Sequence, residues 1–244
     1  MNQHVALITG GAKGIGRGIA LDLAVQQSKI AICYRTSEAA AQQTVQEINQ
    51  RGGQGLAIRC DVSDPAAAKA LISQVEHEWG QIDVLINGAG PYHRINLFDE
   101  TVAGWNEMFD GNLHPIFYLA QAVAPGMKAR KAGRIISFSM ANADQMEAQP
   151  DVTGHYIAKA GVLILTRTLA KLLAPYGITV NAISPGFIDS GSAPPQELAA
   201  MTKRIPAGYI GTVDDTIAAV RYLLSEEARY VNGANIQISG AWGI

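Results

Sequence analysis

Short apolar runs alternate with amphipathic stretches along the chain, and this alternation restricts the fold more than any other feature. The runs have the length of strands, and apolar residues three and four apart in the stretches between them are typical of helices. The predicted strands are Val5 to Thr9, Ile30 to Tyr34, Gly55 to Cys60, Val84 to Asn87, Arg134 to Ser139, Thr179 to Ser184 and Asn235 to Ser239. The predicted helices are Gly16 to Gln27, Glu38 to Arg51, Pro65 to Trp79, Trp105 to Lys131, Ala158 to Tyr176 and Asp214 to Glu227. Because the strands are continuously apolar, both of their faces must be covered, which predicts an α/β, doubly wound Rossmann fold with a seven-stranded parallel sheet and helices on both faces.

The whole chain, residues 1–244, is expected to form a single domain. Apolar residues make up 48% of the sequence and charged residues only 16%, a balance typical of compact globular proteins. The loosest stretch is Phe187 to Gly208, which is rich in proline, glycine and small polar residues. This stretch, at about 187–208, is predicted to be a substrate loop or short-helix lid.

Composition also limits the partners. A net charge of -2 argues against nucleic acid or a membrane surface as the main partner. No secretion signal is visible, and two cysteines in a chain of this size favour a reduced, cytoplasmic protein over a disulfide framework. No metal is expected, because the histidines are scattered without the spacing of ligands. They are His4, His77, His93, His114 and His155.

A glycine-rich turn follows the first predicted strand and opens the first helix. Its sequence is Thr9-Gly10-Gly11-Ala12-Lys13-Gly14-Ile15-Gly16. In this context Gly10 permits a tight turn, Gly14 lets the backbone approach a pyrophosphate, and Gly16 allows close packing of helix against strand. The N–H groups that begin the helix are then free to bind phosphate oxygens. The pattern predicts a dinucleotide site, the alternative being an ordinary glycine-rich turn.

The end of the second strand indicates which dinucleotide binds. A carboxylate there would accept hydrogen bonds from the adenosine ribose, but the sequence reads Tyr34-Arg35-Thr36-Ser37. Arg35, together with Lys13 of the glycine turn, offers two cations to a 2′-phosphate. NADP(H) is therefore favoured over NAD(H), unless Arg35 is only a solvated surface residue.

Five motifs, in the order in which the family has them, resemble the short-chain dehydrogenase/reductase family over essentially Val5 to Gly240. Besides the glycine turn they are Cys60-Asp61-Val62, Asn87-Gly88-Ala89-Gly90, Gly111-Asn112-Leu113 and Ser184-Pro185-Gly186-Phe187-Ile188 with Ser190. Within the family the pattern is most similar to the 3-oxoacyl-[acyl-carrier-protein] reductases, with pteridine reductases more distant. The resemblance implies cofactor contacts at Asp61, Val62, Asn87, Gly88, Ala89, Lys159, Pro185, Gly186, Ile188 and Ser190. It also implies a homotetramer, or at least a dimer, paired through the helices Trp105 to Lys131 and Ala158 to Tyr176.

The catalytic positions depart from the family pattern. The family places Tyr four residues before Lys, whereas here His155 lies four residues before Lys159 and Tyr156 lies three before it. Since successive helical residues are about 100° apart, Tyr156 needs an irregular helix start, such as a π-bulge, to reach the usual place. Met140 lies where the family has its Ser, and Ser139 is one residue early.

The resemblance implies that a proton donor assisted by Lys159 acts on a carbonyl oxygen while hydride leaves the nicotinamide. Asn112 would organise the proton path and Ser139 would hold the carbonyl, and the donor is His155 or Tyr156. The leading hypothesis is an NADPH-dependent reductase of a small-molecule or acyl-carrier-linked carbonyl substrate. The alternatives are reduction of another unsaturated group, such as a pterin or an enoyl thioester, and a non-catalytic NADP-binding subunit.

Overall fold

The computed structural model describes residues 4–191 and 194–243. A seven-stranded sheet extends from Val5 to Ile238, and every neighbouring pair of its strands is parallel. Its strands are β1 (Val5–Thr9), β2 (Lys29–Tyr34), β3 (Gln54–Arg59), β4 (Val84–Asn87), β5 (Gly133–Phe138), β6 (Ile178–Pro185) and β9 (Asn235–Ile238). The order across the sheet is β3-β2-β1-β4-β5-β6-β9. The predicted doubly wound fold is therefore confirmed.

Helices cover both faces of this sheet. They are α1 (Gly14–Ala24), α2 (Glu38–Gln50), α3 (Pro65–Trp79), α4 (Val102–Asn112), α5 (His114–Arg130), α6 (Thr153–Leu173), α7 (Pro195–Thr202) and α8 (Val213–Leu224). One core lies between the sheet and α1, α2 and α8, and the other between the sheet and α3, α5 and α6. Along β1, Ala6 and Ile8 enter the first core, while Val5 and Leu7 enter the second. This two-sided burial explains why the strand is apolar at successive positions.

The helix predicted from Trp105 to Lys131 is wrong as a single element. The chain forms α4 and α5 instead, with a break at Leu113, whose backbone angles are φ -113° and ψ -52°. Pro115 lies in the first turn of α5, where its missing N–H costs nothing, but inside a longer helix it would remove a hydrogen bond. The break leaves Asn112 as the last residue of α4.

Helix α6 begins five residues before the predicted start at Ala158. His155 and Tyr156 therefore lie in its first turn, and Lys159 follows one turn later. A short helical turn, Ala174–Tyr176, continues α6 at its other end. The early start fixes the directions of the candidate catalytic side chains.

The segment predicted as a lid contains more structure than a loop. Two short strands, β7 (Ile188–Asp189) and β8 (Gly211–Thr212), pair in parallel on either side of α7. Residues 192–193 of this segment lie outside the described residues. In the described ranges, no helix is both long enough and apolar enough to cross a membrane.

Candidate functional site

The glycine turn joins β1 to α1 with a backbone that larger residues would disturb. Gly10 and Gly14 have positive φ angles of 69° and 55°. A Cβ on Gly16 would lie 2.5 Å from the carbonyl oxygen of Gly10, so α1 can approach β1 this closely only with glycine there. Lys13 precedes α1 in an extended conformation and, within the described residues, forms no side-chain cap. The first N–H groups of α1 are therefore available to a phosphate.

A second turn, after β4, is tied to the first. The Thr9 Oγ1 accepts hydrogen bonds from the backbone N–H groups of Gly88, at 3.1 Å, and Ala89, at 3.2 Å. Asn87 donates from Nδ2 to the Ser137 Oγ at 3.1 Å, which links the ends of β4 and β5. These contacts hold the carboxyl ends of three neighbouring strands in one rigid group. They lie where the strand order reverses, at the point where open α/β sheets bind ligands.

A cleft of about 570 Å³ opens beside these turns. Its size is within the usual range for small-molecule sites. Seven of the predicted cofactor residues line it: Gly10, Lys13, Arg35, Asp61, Val62, Gly88 and Ala89. The motifs that are far apart in the sequence thus meet around one space, which fits the adenosine and phosphate parts of a dinucleotide.

The wall of this cleft carries side chains of both charges, the acidic Asp61 and the basic Arg35 and Lys13. The Asp61 carboxylate accepts from the Ser63 Oγ at 2.7 Å and the Ser63 N–H at 3.1 Å. These hydrogen bonds, and more weakly the charge of Arg35, lower the pKa of Asp61. Arg35 lies at the end of β2, beside the cleft, where a ribose substituent of an adenosine would be read.

The other predicted cofactor residues are not among those that line this cleft. Ile15 packs against the core beneath α1, and the Pro185 oxygen accepts from the Ala141 N–H at 2.9 Å. A Cβ on Gly186 would come within 3.0 Å of Ser239, so β6 passes close to the chain after β9.

The segment after β6 returns to the glycine turn. Ile188 pairs with Gly211 in the small sheet. Two residues later, the Ser190 Cβ lies 3.6 Å from where a Cβ on Gly14 would be. Ser190 is thereby brought over the start of α1.

Lys159 is almost completely buried, with 7% of its surface exposed. Its Nζ donates to the Phe138 carbonyl oxygen at 2.9 Å, at the end of β5. Burial lowers the pKa of Lys159 to about 8, because desolvation penalises the ammonium. A group whose pKa is brought this close to neutrality suits proton transfer.

His155 is buried one helical turn before Lys159, with 8% of its surface exposed. Burial first, and the Lys159 charge second, lower the pKa of His155 to about 4, although a hydrogen bond to the Pro91 backbone opposes this. Its Nδ1 is buried and has no hydrogen-bond partner among the described residues. The Tyr92 ring meets the imidazole edge-on, with ring centroids 5.1 Å apart. His155 is therefore neutral at pH 7 and keeps one ring nitrogen free.

Tyr156 faces a different part of the molecule. Its hydroxyl donates to the Asn142 carbonyl oxygen at 2.8 Å and accepts from the Glu147 N–H at 3.0 Å. Helix α6 is α-helical throughout, and the Tyr156 N–H bonds to the Val152 oxygen in the regular pattern. The helix irregularity that would turn this phenol to the place of His155 is not found there.

Ser139 directs its hydroxyl at α6, donating to the Lys159 carbonyl oxygen at 2.7 Å. The half-buried Met140 packs against a small cluster formed by Ala143, Leu163 and Ala182. A hydroxyl that is bonded to helix backbone is already satisfied without a substrate. The hydrogen bond of the Ser139 hydroxyl therefore mainly fixes the position of α6 against β5.

Asn112, at the end of α4, shares a hydrogen-bond partner with His155, the backbone of Pro91. Its Nδ2 donates to the oxygens of Pro91, at 3.0 Å, and Met108, at 2.9 Å. Its Oδ1 is buried without a partner among the described residues. The carbonyl of Pro91 thus connects Asn112 with His155, and each side chain retains one unbonded polar atom.

Several residues around the site were missed by sequence reasoning. Pro91 and Tyr92 follow the motif Asn87-Gly88-Ala89-Gly90 directly. This closeness in the sequence could have indicated that they belong to the site. Cys33 and Cys60 line the cleft as neighbours, which no spacing in the sequence indicates. Across residues 4–191 and 194–243, no group of three His, Cys, Asp or Glu residues could hold a metal ion.

A doubly wound sheet with a glycine turn at its switch point is the arrangement found in dinucleotide-binding folds. The chain matches the family described as "Enoyl-(Acyl carrier protein) reductase" over residues 10–241. It is 36% identical over 238 residues to the 3-oxoacyl-[acyl-carrier-protein] reductase FabG of Staphylococcus aureus (strain Mu50), which covers 96% of each chain. The FabG of Vibrio harveyi is 35% identical and covers 98% of this chain and 97% of the relative. The chain therefore belongs to the short-chain dehydrogenase/reductase family and is an oxidoreductase.

Solved structures agree with this assignment. A protein of Sinorhizobium meliloti assigned as a short-chain alcohol dehydrogenase has a TM-score of 0.92 and 28% identity, covering 99% of this chain and 97% of that chain. The acetoin dehydrogenase YohF of Salmonella typhimurium has a TM-score of 0.89 and 29% identity, with the same coverage. The family resemblance predicted from the motifs is confirmed.

Proposed function

We propose that this protein is an NADPH-dependent reductase of carbonyl substrates, similar to the 3-oxoacyl-[acyl-carrier-protein] reductases. The whole chain would act as one dinucleotide-binding domain. The observation that carries the proposal is a cleft of dinucleotide size at the switch point of the sheet, whose wall includes Pro91. The buried His155, one helical turn from the buried Lys159, is hydrogen-bonded to the Pro91 backbone. The full-length identity to FabG supports a 3-oxoacyl thioester as the substrate class. We also propose the cytoplasm as its location, since both described cysteines are free.

The cofactor site is proposed as follows. The N–H groups at the start of α1 hold the pyrophosphate, Arg35 and Lys13 hold a 2′-phosphate, and Asp61 and Val62 border the adenine. The remaining contacts, carried over from the family, are Asn87, Gly88, Ala89, Pro185, Gly186, Ile188 and Ser190. Bound NADPH supplies the hydride, and the chain supplies position and protons.

His155 is our proposed proton carrier. Its neutral imidazole accepts a proton at a ring nitrogen in the alcohol-oxidising direction, and its imidazolium returns that proton to the carbonyl oxygen in reduction. The Lys159 ammonium lies near the His155 imidazole, and Asn112 is linked to His155 through the Pro91 carbonyl, which orders the polar path between the two side chains. Ser139 stays a candidate for contacting the carbonyl only if its bond to the Lys159 oxygen is exchanged for one to substrate.

This assignment has a definite pH dependence. Because the pKa of His155 is lowered to about 4, the imidazolium becomes scarcer at every step above that pH. The reduction rate should then fall by about tenfold per pH unit at neutral pH, as expected for a required acid with a low pKa. A lysine-assisted Tyr156 phenol would instead hold its activity to alkaline pH.

The test is NADPH turnover from pH 5 to 9 with 3-oxoacyl thioesters, quinones, pterins and enoyl thioesters. Wild type is compared with His155→Phe and with Tyr156→Phe, the matched removal of a neighbouring polar group. Activity lost only in His155→Phe, with the falling pH profile in wild type, supports the proposal. Activity lost only in Tyr156→Phe contradicts it.

A non-catalytic NADP-binding subunit is the second candidate. The hydroxyls of Ser139 and Tyr156 are both bonded to protein backbone, which favours this candidate. It gains if NADPH binds but no compound of the panel is reduced. A pterin or enoyl thioester as the only productive substrate would support the remaining alternative, reduction of another unsaturated group.

Cofactor preference can be measured separately from turnover. Arg35 is expected to form charge-assisted hydrogen bonds to the 2′-phosphate, so Arg35→Ala should weaken NADPH roughly tenfold or more and leave NADH unchanged. The exposed Arg51 at the end of α2 provides the control, Arg51→Ala. Equal affinity of wild type for NADPH and NADH would remove the basis for the phosphate site.

We further propose a homotetramer that pairs through α4, α5 and α6. Apolar side chains on these helices are exposed, and aromatic rings follow one another from Trp105 to Tyr118. The exposed ones are Val102, Phe117, Ile157, Ile164 and Leu172. Exposed apolar side chains on neighbouring helices favour association with further copies of the chain.

A further inference from the structure

Two thiols meet at the adenosine end of the cleft. Cys33 lies in β2 and is paired in register with Ile58 of β3, and Cys60 lies two residues farther along the same chain segment. Since side chains alternate along a strand, the two cysteines project to the same face. Both pack in the core on that face, and both line the cleft.

The contact between them is close. The Cys33 Sγ lies 3.5 Å from the Cys60 carbonyl oxygen, to which it donates. Cys33 is buried, whereas Cys60 is half-exposed, so a reagent entering the cleft meets Cys60 first. The neighbouring Cys33 side chain is the main cause that lowers the pKa of Cys60, against the opposing effects of burial and of the charges of Asp61 and Asp64. Cys60 is thus the better nucleophile of the pair.

The same two residues are joined to the proposed cofactor site through their backbones. The Gly10 N–H of the glycine turn bonds to the Cys33 carbonyl oxygen at 3.1 Å. The Cys60 N–H bonds to the Tyr34 oxygen at 2.9 Å, and Asp61 follows directly. Any movement that draws the two sulfurs together therefore shifts the glycine turn and the adenine side of the cleft.

We propose that Cys33 and Cys60 form a redox-active thiol pair, which small-molecule disulfides oxidise to an intramolecular disulfide that weakens dinucleotide binding. The second half of this proposal rests on the proposed function. The Cys60 thiolate attacks the small disulfide, breaks its S–S bond and releases one thiolate. The hydrogen bond to Cys60 and burial raise the pKa of Cys33. The Cys33 thiol therefore gives up its proton only as its sulfur attacks the Cys60 sulfur of the mixed disulfide, and the second small thiolate leaves and takes that proton. Two protein thiols are oxidised and one small disulfide is reduced.

The test uses the full chain and dithiobis(nitrobenzoate), an aromatic disulfide whose released thiolate is coloured. Wild type is compared with Cys60→Ser and with Cys33→Ala, which keeps the buried position small and apolar. Wild type should release two thiolates per chain and retain no adduct by intact mass. Cys33→Ala should release one and retain the adduct, and Cys60→Ser should react at least about tenfold more slowly.

NADPH affinity is then measured on the reduced and oxidised wild type. The oxidised chain should bind NADPH roughly tenfold more weakly, as expected if one contact to a charged phosphate is lost, and dithiothreitol should restore the affinity. A retained adduct in wild type, fast reaction of Cys60→Ser, or unchanged affinity after oxidation would each overturn the proposal. Failure of the reduced chain to bind NADPH would count against the proposed function instead, while the mass measurement still decides on the thiol pair.

Discussion

Lys159→Met is expected to stabilise the protein at neutral pH while removing its activity. The wild-type ammonium is 7% exposed and has no carboxylate partner among the described residues. Burial shifts its pKa from the ordinary 10.5 to about 8, which corresponds to a cost of about 3 kcal/mol for the charged form. The Met variant also loses the hydrogen bond to the Phe138 oxygen, and this loss offsets about 1 to 2 kcal/mol of the gain in stability. The net gain should be about 1 to 2 kcal/mol.

The difference in stability between Lys159→Met and wild type depends on pH. A lysine whose pKa is lower in the folded chain binds fewer protons there than in the unfolded chain, so wild-type stability rises between about pH 8 and 10.5. The advantage of Lys159→Met is therefore full below pH 8 and is expected to vanish near pH 10. Other titrating groups are common to both proteins and cancel in the difference.

The assay is unfolding of wild type, Lys159→Met and Lys171→Met at pH 7 and pH 10. Lys171 is exposed near the end of the same helix, so its substitution should change stability by less than about 0.5 kcal/mol at either pH. At pH 7 the midpoint of Lys159→Met should rise by roughly 2 to 8 °C. A lower midpoint than wild type at pH 7, or a difference that stays constant up to pH 10, would refute the reasoning.

Three further outcomes are expected. Gly16→Ala should unfold the chain or abolish NADPH binding, because its Cβ would lie 2.5 Å from a backbone oxygen; Gly154→Ala, whose Cβ makes ordinary contacts, should be neutral or stabilising in thermal unfolding. Ile164→Glu should reduce the mass in light scattering from that of the proposed tetramer to that of a dimer or monomer, whereas Tyr230→Glu, at an exposed position outside α4 to α6, should not. Ser139→Ala should lower the free energy of unfolding by about 1 kcal/mol, measured with denaturant, and lower turnover far less than His155→Phe.

Much of the fold could be predicted because local patterns and tertiary burial agree in it. The sequence of β1, Val5 to Thr9, is buried at every position, as expected for a strand covered on both faces. The division of α4 from α5 had a local signal in Pro115, but the apolar spacing on both sides continues through it. Helical spacing alone also separates His155 from Tyr156 by about 100°.

The partners of the catalytic candidates could not be predicted. Tyr156 bonds to the backbone at Asn142 and Glu147, in a loop with no periodic pattern from which its path could be read. The contact of Cys33 with Cys60 depends on the register of β2 against β3, which is set by packing of the whole sheet. Burial of Lys159, and with it the lowered pKa, likewise depends on how α6 closes over β5.

Transfer of deuterium from the cofactor tests the proposed function most directly. NADPH labelled with deuterium at the transferring position of the nicotinamide is incubated with the enzyme and a 3-oxoacyl thioester, and the product is analysed by mass spectrometry. A hydroxyacyl thioester carrying the deuterium on its carbinol carbon is the predicted result. Unlabelled product, or no product although NADPH is bound, would contradict hydride transfer by this chain.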